Sequence, residues 1–324
     1  MANYLVTGAA GFIASRVSEL LLEAGHSVCG VDNLNDAYDV RIKEYRLGRL
    51  LPREGFSFLR LDISERQAID ALSAAGQFAA VINLAARAGV RQSVENPWVY
   101  VDTNVSGTLN LLELCRRQGI PKFILASTSS IYGEDAPLPT PESASSDHPL
   151  QVYAATKKGA EALCHAYHYL NGLDVTIFRY FTVYGPAPRP DMVMFRFTQW
   201  ISEGRPVLLN GDGEQSRGFT YVDDIARGTI MGLKPVGYEI INLGGSQVIT
   251  INQLIHLLES LIGKKAQVTN LPRHPADMST NHADVEKAGQ VLGWEPTVSL
   301  EEGISRLVAW YQAERHWARD IKTV

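Results

Sequence analysis

The chain has 324 residues, 45% of them apolar, and a net charge of −5 at pH 7, which is enough apolar side chain for a large core or two coupled domains. The acidic balance, without charge blocks, argues against nucleic acid as the main partner, and no apolar run approaches the length of a membrane span. Cys29, Cys115 and Cys164 fall in apolar patterns and read as buried, reduced thiols, and the eight histidines show no paired ligand spacing, so neither a disulfide nor a metal site is expected. Met1-Ala2-Asn3 leads directly into a short apolar strand, Tyr4 to Thr7, which leaves no room for a signal peptide and suggests a cytoplasmic setting.

Gly8-Ala9-Ala10-Gly11-Phe12-Ile13-Ala14 then turns into an apolar-periodic helix, Val17 to Leu22. The glycines allow a tight turn and close approach of backbone amides, including those of Phe12 and Ile13, to a diphosphate. The helix N-terminus adds partial positive charge for that anion. Ser27 to Val31 is the next strand, and Asp32 ends it, followed by Asn33. A carboxylate at this distance from the glycine turn accepts hydrogen bonds from an adenosine ribose diol and repels a 2′-phosphate, so the expected cofactor is NAD. Phe56 to Leu61 is a strand ending in Asp62-Ile63, a candidate adenine-side contact. Ala79 to Leu84 is another, and after Leu84 the small Ala85 and Ala86 let the backbone pass close to a cofactor.

A long helix is predicted over Val99 to Gln118, and a strand from Phe123 to Ala126 delivers Thr128. The helix over Gln151 to Leu170 carries Tyr153 and Lys157, which stand four apart and so share one face, one turn from each other. An ammonium beside a phenol favours the phenolate, so Lys157 is expected to lower the Tyr153 pKa and ready it for general acid–base work. Asp174 to Arg179 is the next strand. Alternating βα units imply an α/β fold with a doubly wound, Rossmann-type parallel sheet and ligands beyond the strand C-terminal ends. After about residue 180 the elements become short and mixed, as in a smaller mixed α/β substrate domain.

Gly8-x-x-Gly11, Asp32, Asp62, N-L-A-A (83–86), Thr128 and Tyr153-x-x-x-Lys157 together resemble the extended short-chain dehydrogenase/reductase superfamily, and R-Y-F-T-V-Y-G-P (179–186), R-G-F-T-Y-V-D-D (217–224) and I-N-L-G-G (241–245) continue the resemblance over nearly the whole chain. The resemblance implies that residues 1–180 form the NAD-binding domain, with segments near 220–250 crossing back, and that residues 181–324 mainly bind a UDP-sugar. Within the superfamily the chain looks like the nucleotide-sugar 4-epimerases. There Tyr153 would remove the proton of the sugar 4-hydroxyl with Thr128 in the relay, and Lys157 would also hold the nicotinamide ribose. The redox chemistry belongs to the cofactor.

Thr128-Ser129-Ser130-Ile131-Tyr132-Gly133 lacks the acid that related dehydratases and UDP-glucuronate decarboxylases usually carry. Thr182 stands where UDP-glucose 4-epimerases usually have Asn. D-N-L-N-D-A-Y-D-V-R-I-K-E-Y-R (32–46), A-G-V-R-Q-S (88–93) and R-P-D-M (189–192) are similar to UDP-glucuronate 4-epimerases. Ala187 departs from the family, which has a larger or basic residue after the Gly-Pro pair. The resemblance places Arg91, Thr128, Ser129, Ser130, Thr182 and Arg189 near the sugar and Asp277 near the uridine ribose. Arg217 is the candidate for the diphosphate, since a guanidinium grips phosphate oxygens with two parallel hydrogen bonds; its structural alternative is an ion pair with Asp223 or Asp224. UDP-glucose/UDP-galactose 4-epimerase is the runner-up, then UDP-glucuronate decarboxylase, then a non-catalytic NAD-binding regulator, which would have no need of Thr128, Tyr153 and Lys157. Apolar residues on more than one face of the helices near 99–118 and 153–170 suggest a homodimer built on a four-helix bundle: Leu109, Leu111, Leu112 and Leu114 in one, Leu163, Ala166, Tyr167 and Leu170 in the other.

Overall fold

A computed structural model describes residues 1–245, 247–272 and 280–323. Its centre is a seven-stranded sheet. The chain lays down β1 (Asn3–Thr7), α1 (Phe12–Glu23), β2 (Ser27–Asp32), α2 (Val40–Leu50), β3 (Phe56–Arg60), α3 (Gln67–Ala74) and β4 (Ala80–Asn83). Two short helices follow, α4 (Gln92–Glu95) and α5 (Trp98–Tyr100), then α6 (Gly107–Gln118), β5 (Lys122–Thr128), α7 (Val152–Asn171) and β6 (Asp174–Tyr180). β10 (Tyr238–Leu243) adds the last strand from far along the chain. The order is β10-β6-β5-β4-β1-β2-β3, and every pairing is parallel. The reason is legible in β5, buried from end to end, and in β6, buried from Val175 on: a parallel strand covered by helices on both faces shows no alternating polar face, and Phe123–Ala126 and Ile177-Phe178 put apolar side chains on both.

The expected helix over Val99–Gln118 is interrupted. Val101–Ser106 forms a π-helical turn between α5 and α6. Such a bulge re-aims a side chain, and here it turns Asn104 inward, into the site described below. Leu111, Leu112 and Leu114 belong to the protein's own core beneath α6. Leu109 and Leu170 do stay exposed, together with Trp98, Val101 and Tyr169. All three cysteines are buried free thiols.

Beyond β6 come β7 (Thr182–Tyr184), α8 (Val193–Glu203), β8 (Val207–Asn210), β9 (Ser216–Tyr221) and α9 (Val222–Met231). After β10 follow β11 (Val248–Thr250), α10 (Ile251–Ile262), β12 (Val268–Leu271), β13 (Thr280–Asn281), α11 (Glu286–Leu292) and α12 (Leu300–Ala313). β9 pairs with β11, β13 and β7, and β8 with β12. A second core fills the space between these ribbons and α8, α10 and α12, with Phe197, Trp200, Leu254, Leu258, Ile304 and Leu307 at its centre. Local chemistry supports the helices: Thr250 and Gln253 close a reciprocal capping box on α10, and Ser299 caps α12.

The two cores are knitted together. α9 lies against α1, where Arg16 grips Asp223 with two hydrogen bonds of 2.8 and 3.2 Å. At the opposite end of the sheet from the glycine turn, Lys122 hydrogen-bonds Asp174 and also donates to Thr176 Oγ1 at 2.8 Å and the Lys234 carbonyl at 3.0 Å. The second Asp174 oxygen accepts the amides of Val236 and Gly237 at 2.9 and 2.8 Å. Burial alone would raise the Asp174 carboxyl; the Lys122 hydrogen bond and the backbone amides outweigh it and hold the group below the usual range. No helix among the described residues is long and apolar enough to cross a membrane.

Candidate active site

The site lies beyond the C-terminal ends of β1, β2, β4 and β5. After β1 the backbone turns through Gly8 with φ +71, and the Gly11 amide donates to the Gly8 carbonyl at 2.6 Å. A Cβ on Gly8 would stand 2.9 Å from the nitrogen and Cα of Ala85, and one on Gly11 would stand 2.7 Å from the Gly8 oxygen. This is a cradle that only glycine leaves open. Gly11 begins α1 without any side-chain cap, so the helix start is free for an anion. Phe12 and Ile13 pack their side chains against the second and first cores respectively, so what they offer a ligand is backbone. Thr7 Oγ1 donates to Asn83 at 2.8 Å and accepts the Ala85 amide at 3.2 Å, which fixes the Leu84-Ala85-Ala86 wall. The residues therefore fit a dinucleotide.

Asp32 accepts the amides of Ala10 and Leu34 at 3.2 and 2.8 Å, and so aims its carboxylate from the end of β2 across the glycine turn. Asn33 donates to Asp62 at 2.7 Å. Burial raises the Asp62 carboxyl, but bonds from Ser64 and Asn33 and the charge of Arg87 bring it below its ordinary value. Ile63 is buried under Gly107, where a Cβ would collide with it.

Three further cations stand around this cradle. Lys43 is buried and donates to Asn35 at 2.8 and 3.0 Å; burial drops its pKa to about 8, with Asp32 opposing and Arg46, Arg87 and Arg189 reinforcing the drop. Arg87 donates to the same Asn35 side chain at 3.0 Å. Arg46 is buried, donates to the carbonyls of Ala10 and Ala187 at 3.1 and 2.9 Å, and lies over the Phe12 ring. It therefore ties the glycine turn to the loop after β7. That loop contains Ala187, buried and left-handed with φ +50, where a bulkier residue would be strained in the backbone and crowded in space. On α2 these residues look like an ordinary polar face; only the fold buries them.

The reactive groups converge at the end of β5. Thr128 Oγ1 accepts the Ser130 amide at 3.2 Å and stands beside the half-buried Tyr153, close enough to favour its phenolate. The Tyr153 ring meets Tyr100 edge-on, with centroids 6.2 Å apart. Lys157, one turn further along α7, donates to the Ala126 carbonyl at 2.9 Å. Burial lowers its pKa to about 8, against the raising influence of Cys164 and Glu161. The expected depression of the phenol by Lys157 needs correction. Burial raises the Tyr153 pKa; Thr128 and the Arg189 charge act downward, and Lys157 is turned onto the backbone. Helical spacing sets the face a side chain occupies but not the partner its terminal nitrogen finds.

Arg189 is the cation that the phenol feels, and Asp191 holds it in a two-pronged contact of 3.1 and 2.5 Å. Ser129 Oγ accepts from Asn281 on β13 at 3.0 Å, and Ser130 Oγ accepts from Thr128 at 3.3 Å. Asn104, aimed by the π turn, accepts the Arg87 amide at 2.9 Å and donates to the Arg87 carbonyl and Thr156 Oγ1 at 3.0 Å each, binding the cofactor-side loop to α7. Its position within a periodic helix concealed it. Thr182 is half-buried on β7, opposite Phe219. Arg91 stands at the start of α4, where its side chain makes no capping hydrogen bond. Arg217, on β9 between Ile249 and Asn281, donates to its neighbour's carbonyl at 2.7 Å. The carboxylates of Asp223 and Asp224 are engaged by Arg16 and Arg227. Asp277 lies outside the described residues. Among the described residues no group of three or more side chains is arranged to hold a metal ion.

Comparison with known proteins adds context. Residues 4–244 match the NAD dependent epimerase/dehydratase family. The chain is 56% identical over 323 residues to a UDP-glucuronate 4-epimerase of Thermodesulfobacterium geofontis, covering 99% of this chain and 100% of that protein. It is similar to the crystal structure of a Bacillus cereus UDP-glucuronic acid 4-epimerase in complex with UDP-glucuronic acid and NAD, with a TM-score of 0.88, 36% identity, and coverage of 96% and 99% of the two chains. It is also similar to a Thermotoga maritima UDP-glucose 4-epimerase crystallised with UDP-glucose, with a TM-score of 0.89, 34% identity, and coverage of 97% and 99%.

Proposed function

The chain belongs to the NAD dependent epimerase/dehydratase family, and on that premise we propose that it inverts C4 of UDP-glucuronate to give UDP-galacturonate through a transient 4-keto sugar. The observation that carries this reading is the convergence of Thr128 at the end of β5 with Tyr153 and Lys157 on one face of α7, beside a glycine cradle. Bound NAD+ supplies acceptance and return of a hydride at C4. Gly8, Gly11 and the amides of Phe12 and Ile13 would hold its diphosphate, Asp32 its adenosine ribose, Asp62 and Ile63 its adenine side, and Lys157 its nicotinamide ribose.

Tyr153 takes the proton of the 4-hydroxyl and returns it after the sugar has turned over, while Arg217 and Asp277 anchor the UDP. Thr128 passes that proton and keeps the phenol oriented. Burial disfavours the phenolate, while Thr128 and the Arg189 charge favour it; Tyr153 would have to release its own proton to solvent, through Thr128, before it takes that of the 4-hydroxyl. Oxidation at C4 makes the substrate a β-keto acid, which loses CO2 when the carboxylate bond aligns with the carbonyl. Ser129 accepts from Asn281, so its own proton remains for the substrate carboxylate, and Ser130 adds a second neutral hydroxyl. No anion stands in this loop to push the carboxylate into alignment. Thr182 leaves room for it.

The test is a side-by-side assay of UDP-glucuronate, UDP-glucose and UDP-N-acetylglucosamine. UDP-glucuronate should have the highest kcat/KM and yield UDP-galacturonate with little UDP-pentose. A higher kcat/KM for UDP-glucose moves the assignment to a hexose epimerase. The exposed apolar residues Trp98, Val101, Leu109, Tyr169 and Leu170 around α6 and α7 support a homodimer through these helices. Light scattering that gives a monomer at micromolar concentration would remove that reading.

A further inference from the structure

Behind the reactive hydroxyls lies a buried ion pair that the chemistry above does not use. Arg179 on β6 grips Glu161 on α7 with two hydrogen bonds, Nε to Oε1 at 3.1 Å and Nη2 to Oε2 at 2.8 Å. Their side chains are only 2% and 3% exposed. Glu161 follows Lys157 by one helical turn and Tyr153 by two, so all three share a face of α7.

The same pair holds both ends of the turn that carries Thr128. Ser127, immediately before it, donates to Glu161 Oε1 at 2.5 Å. Tyr132, at the far end, accepts from Arg179 Nη1 at 3.0 Å, with the guanidinium 4.9 Å from its ring centroid. The Tyr132 hydroxyl proton is committed to Asn242 Oδ1 at 2.7 Å, and Arg179 Nη1 also reaches the Glu142 carbonyl at 3.2 Å. Every bond in the unit runs between different elements: β5, the turn after it, α7, β6 and β10.

A buried ion pair is weak evidence for stability, because apolar residues of similar volume often serve as well. A fully hydrogen-bonded one does something apolar packing cannot: it fixes donors and acceptors in one relative geometry. Here the elements it fixes are the strand end that presents Thr128 and the helix that presents Tyr153 and Lys157.

We propose that Glu161 and Arg179 are positioning residues of the reaction, setting the Thr128 hydroxyl against the Tyr153 phenol by clamping both ends of the 128–131 turn to α7. This rests on Tyr153 as the proton-transfer group.

The test uses two variants that each remove one hydroxyl from a clamp point, Ser127→Ala and Tyr132→Phe, with Arg179→Lys as the variant that keeps charge but loses the fork. Each should lower kcat by about tenfold, since small misplacement of reacting groups is costly. KM for UDP-glucuronate and the bound NAD+ content should stay within about twofold, because the clamp is buried behind the residues assigned to hold the two ligands. Single-turnover appearance of bound NADH absorbance should slow by the same factor as kcat. The Ser127→Ala/Tyr132→Phe double variant should lose less than the product of the single losses, since freeing either end already releases the turn. Wild-type kcat per folded molecule in Ser127→Ala and Tyr132→Phe, alongside a dead Tyr153→Phe, overturns the clamp but leaves the proton-transfer reading intact. Activity in Tyr153→Phe overturns the reading itself. A rise in KM equal to the loss in kcat/KM, with kcat unchanged, also overturns the clamp.

Discussion

Replacing Gly8 with alanine tests whether the turn after β1 is a fitted cradle or a generic loop. The residue has φ +71, and its new Cβ would stand 2.9 Å from the Ala85 nitrogen and Cα. A left-handed alanine costs about 1–2 kcal/mol. Crowding against backbone that cannot rotate away adds about 1–3 kcal/mol. Alanine recovers about 0.4–1 kcal/mol because its unfolded chain has less freedom than glycine's. The net loss is about 1–5 kcal/mol. At about 2.1 cal/mol/K per residue, 324 residues give an unfolding entropy of about 0.7 kcal/mol/K, so Tm should fall by about 1–7 °C. Gly25 is the control: its φ is +79, but nothing lies within 4 Å of an added Cβ. Gly25→Ala should cost about 1 kcal/mol or less, a drop of about 1 °C. Cofactor content separates the two further, because the displacement forced by Gly8→Ala falls on the Leu84–Ala85 wall. Purified Gly8→Ala should hold much less NAD+ than wild type, and Gly25→Ala the same amount. Calorimetry gives Tm, and acid release followed by an enzymatic NAD+ assay gives occupancy. Equal Tm losses with equal occupancy would refute the cradle.

Tyr153→Phe should lower turnover by about 10²–10⁴-fold with NAD+ retained, and Lys157→Ala should damage both; chromatographic separation of the UDP-sugars gives the first quantity and cofactor release the second. Ser129→Ala and Ser130→Ala should raise the share of UDP-pentose among the products of UDP-glucuronate, and an unchanged product ratio removes these hydroxyls from carboxylate control. Asp174, whose folded pKa is depressed, contributes stability above its unfolded value of about 3.9 and loses it as the pH falls through the folded value. The Tm gap between wild type and Asp174→Asn should therefore be constant near neutrality and shrink below about pH 4; a gap that does not change with acid contradicts the linkage.

Much of this architecture could be read along the chain because its signals are local. The glycine turn, the carboxylate closing β2 and the Tyr153–Lys157 spacing each fit within one βα unit, and short apolar runs between helical segments marked β4 and β5 as buried parallel strands. What escaped was long-range. Arg46 meets Ala187 across 141 positions of sequence, and Asn281 meets Ser129 across 152. No periodicity distinguishes Lys43 or Arg46 from solvated residues on a polar helix face. Asn104 was hidden because a π turn and an α turn have the same composition. The Tyr153 pKa was misjudged for a related reason: burial and the approach of Arg189 are properties of the fold, whereas i, i+4 spacing is a property of the helix.

The placement of β10 has a consequence for biosynthesis. The strand that closes the sheet beside β6 is reached only at Tyr238–Leu243, about sixty residues after β6 has been made. Until then the nascent sheet has β6 as an open edge, with Val175, Ile177 and Phe178 awaiting cover, and an unpaired edge of this kind invites pairing with another chain. The Asp174 carboxylate also waits, because Val236 and Gly237 supply its backbone partners. Nested truncations ending before and after Leu243 should differ sharply in solubility. The ribosome thus holds an adhesive half-sheet for the time it takes to add β7, α8, β8, β9 and α9, and the cell that makes this chain must shield it for that interval.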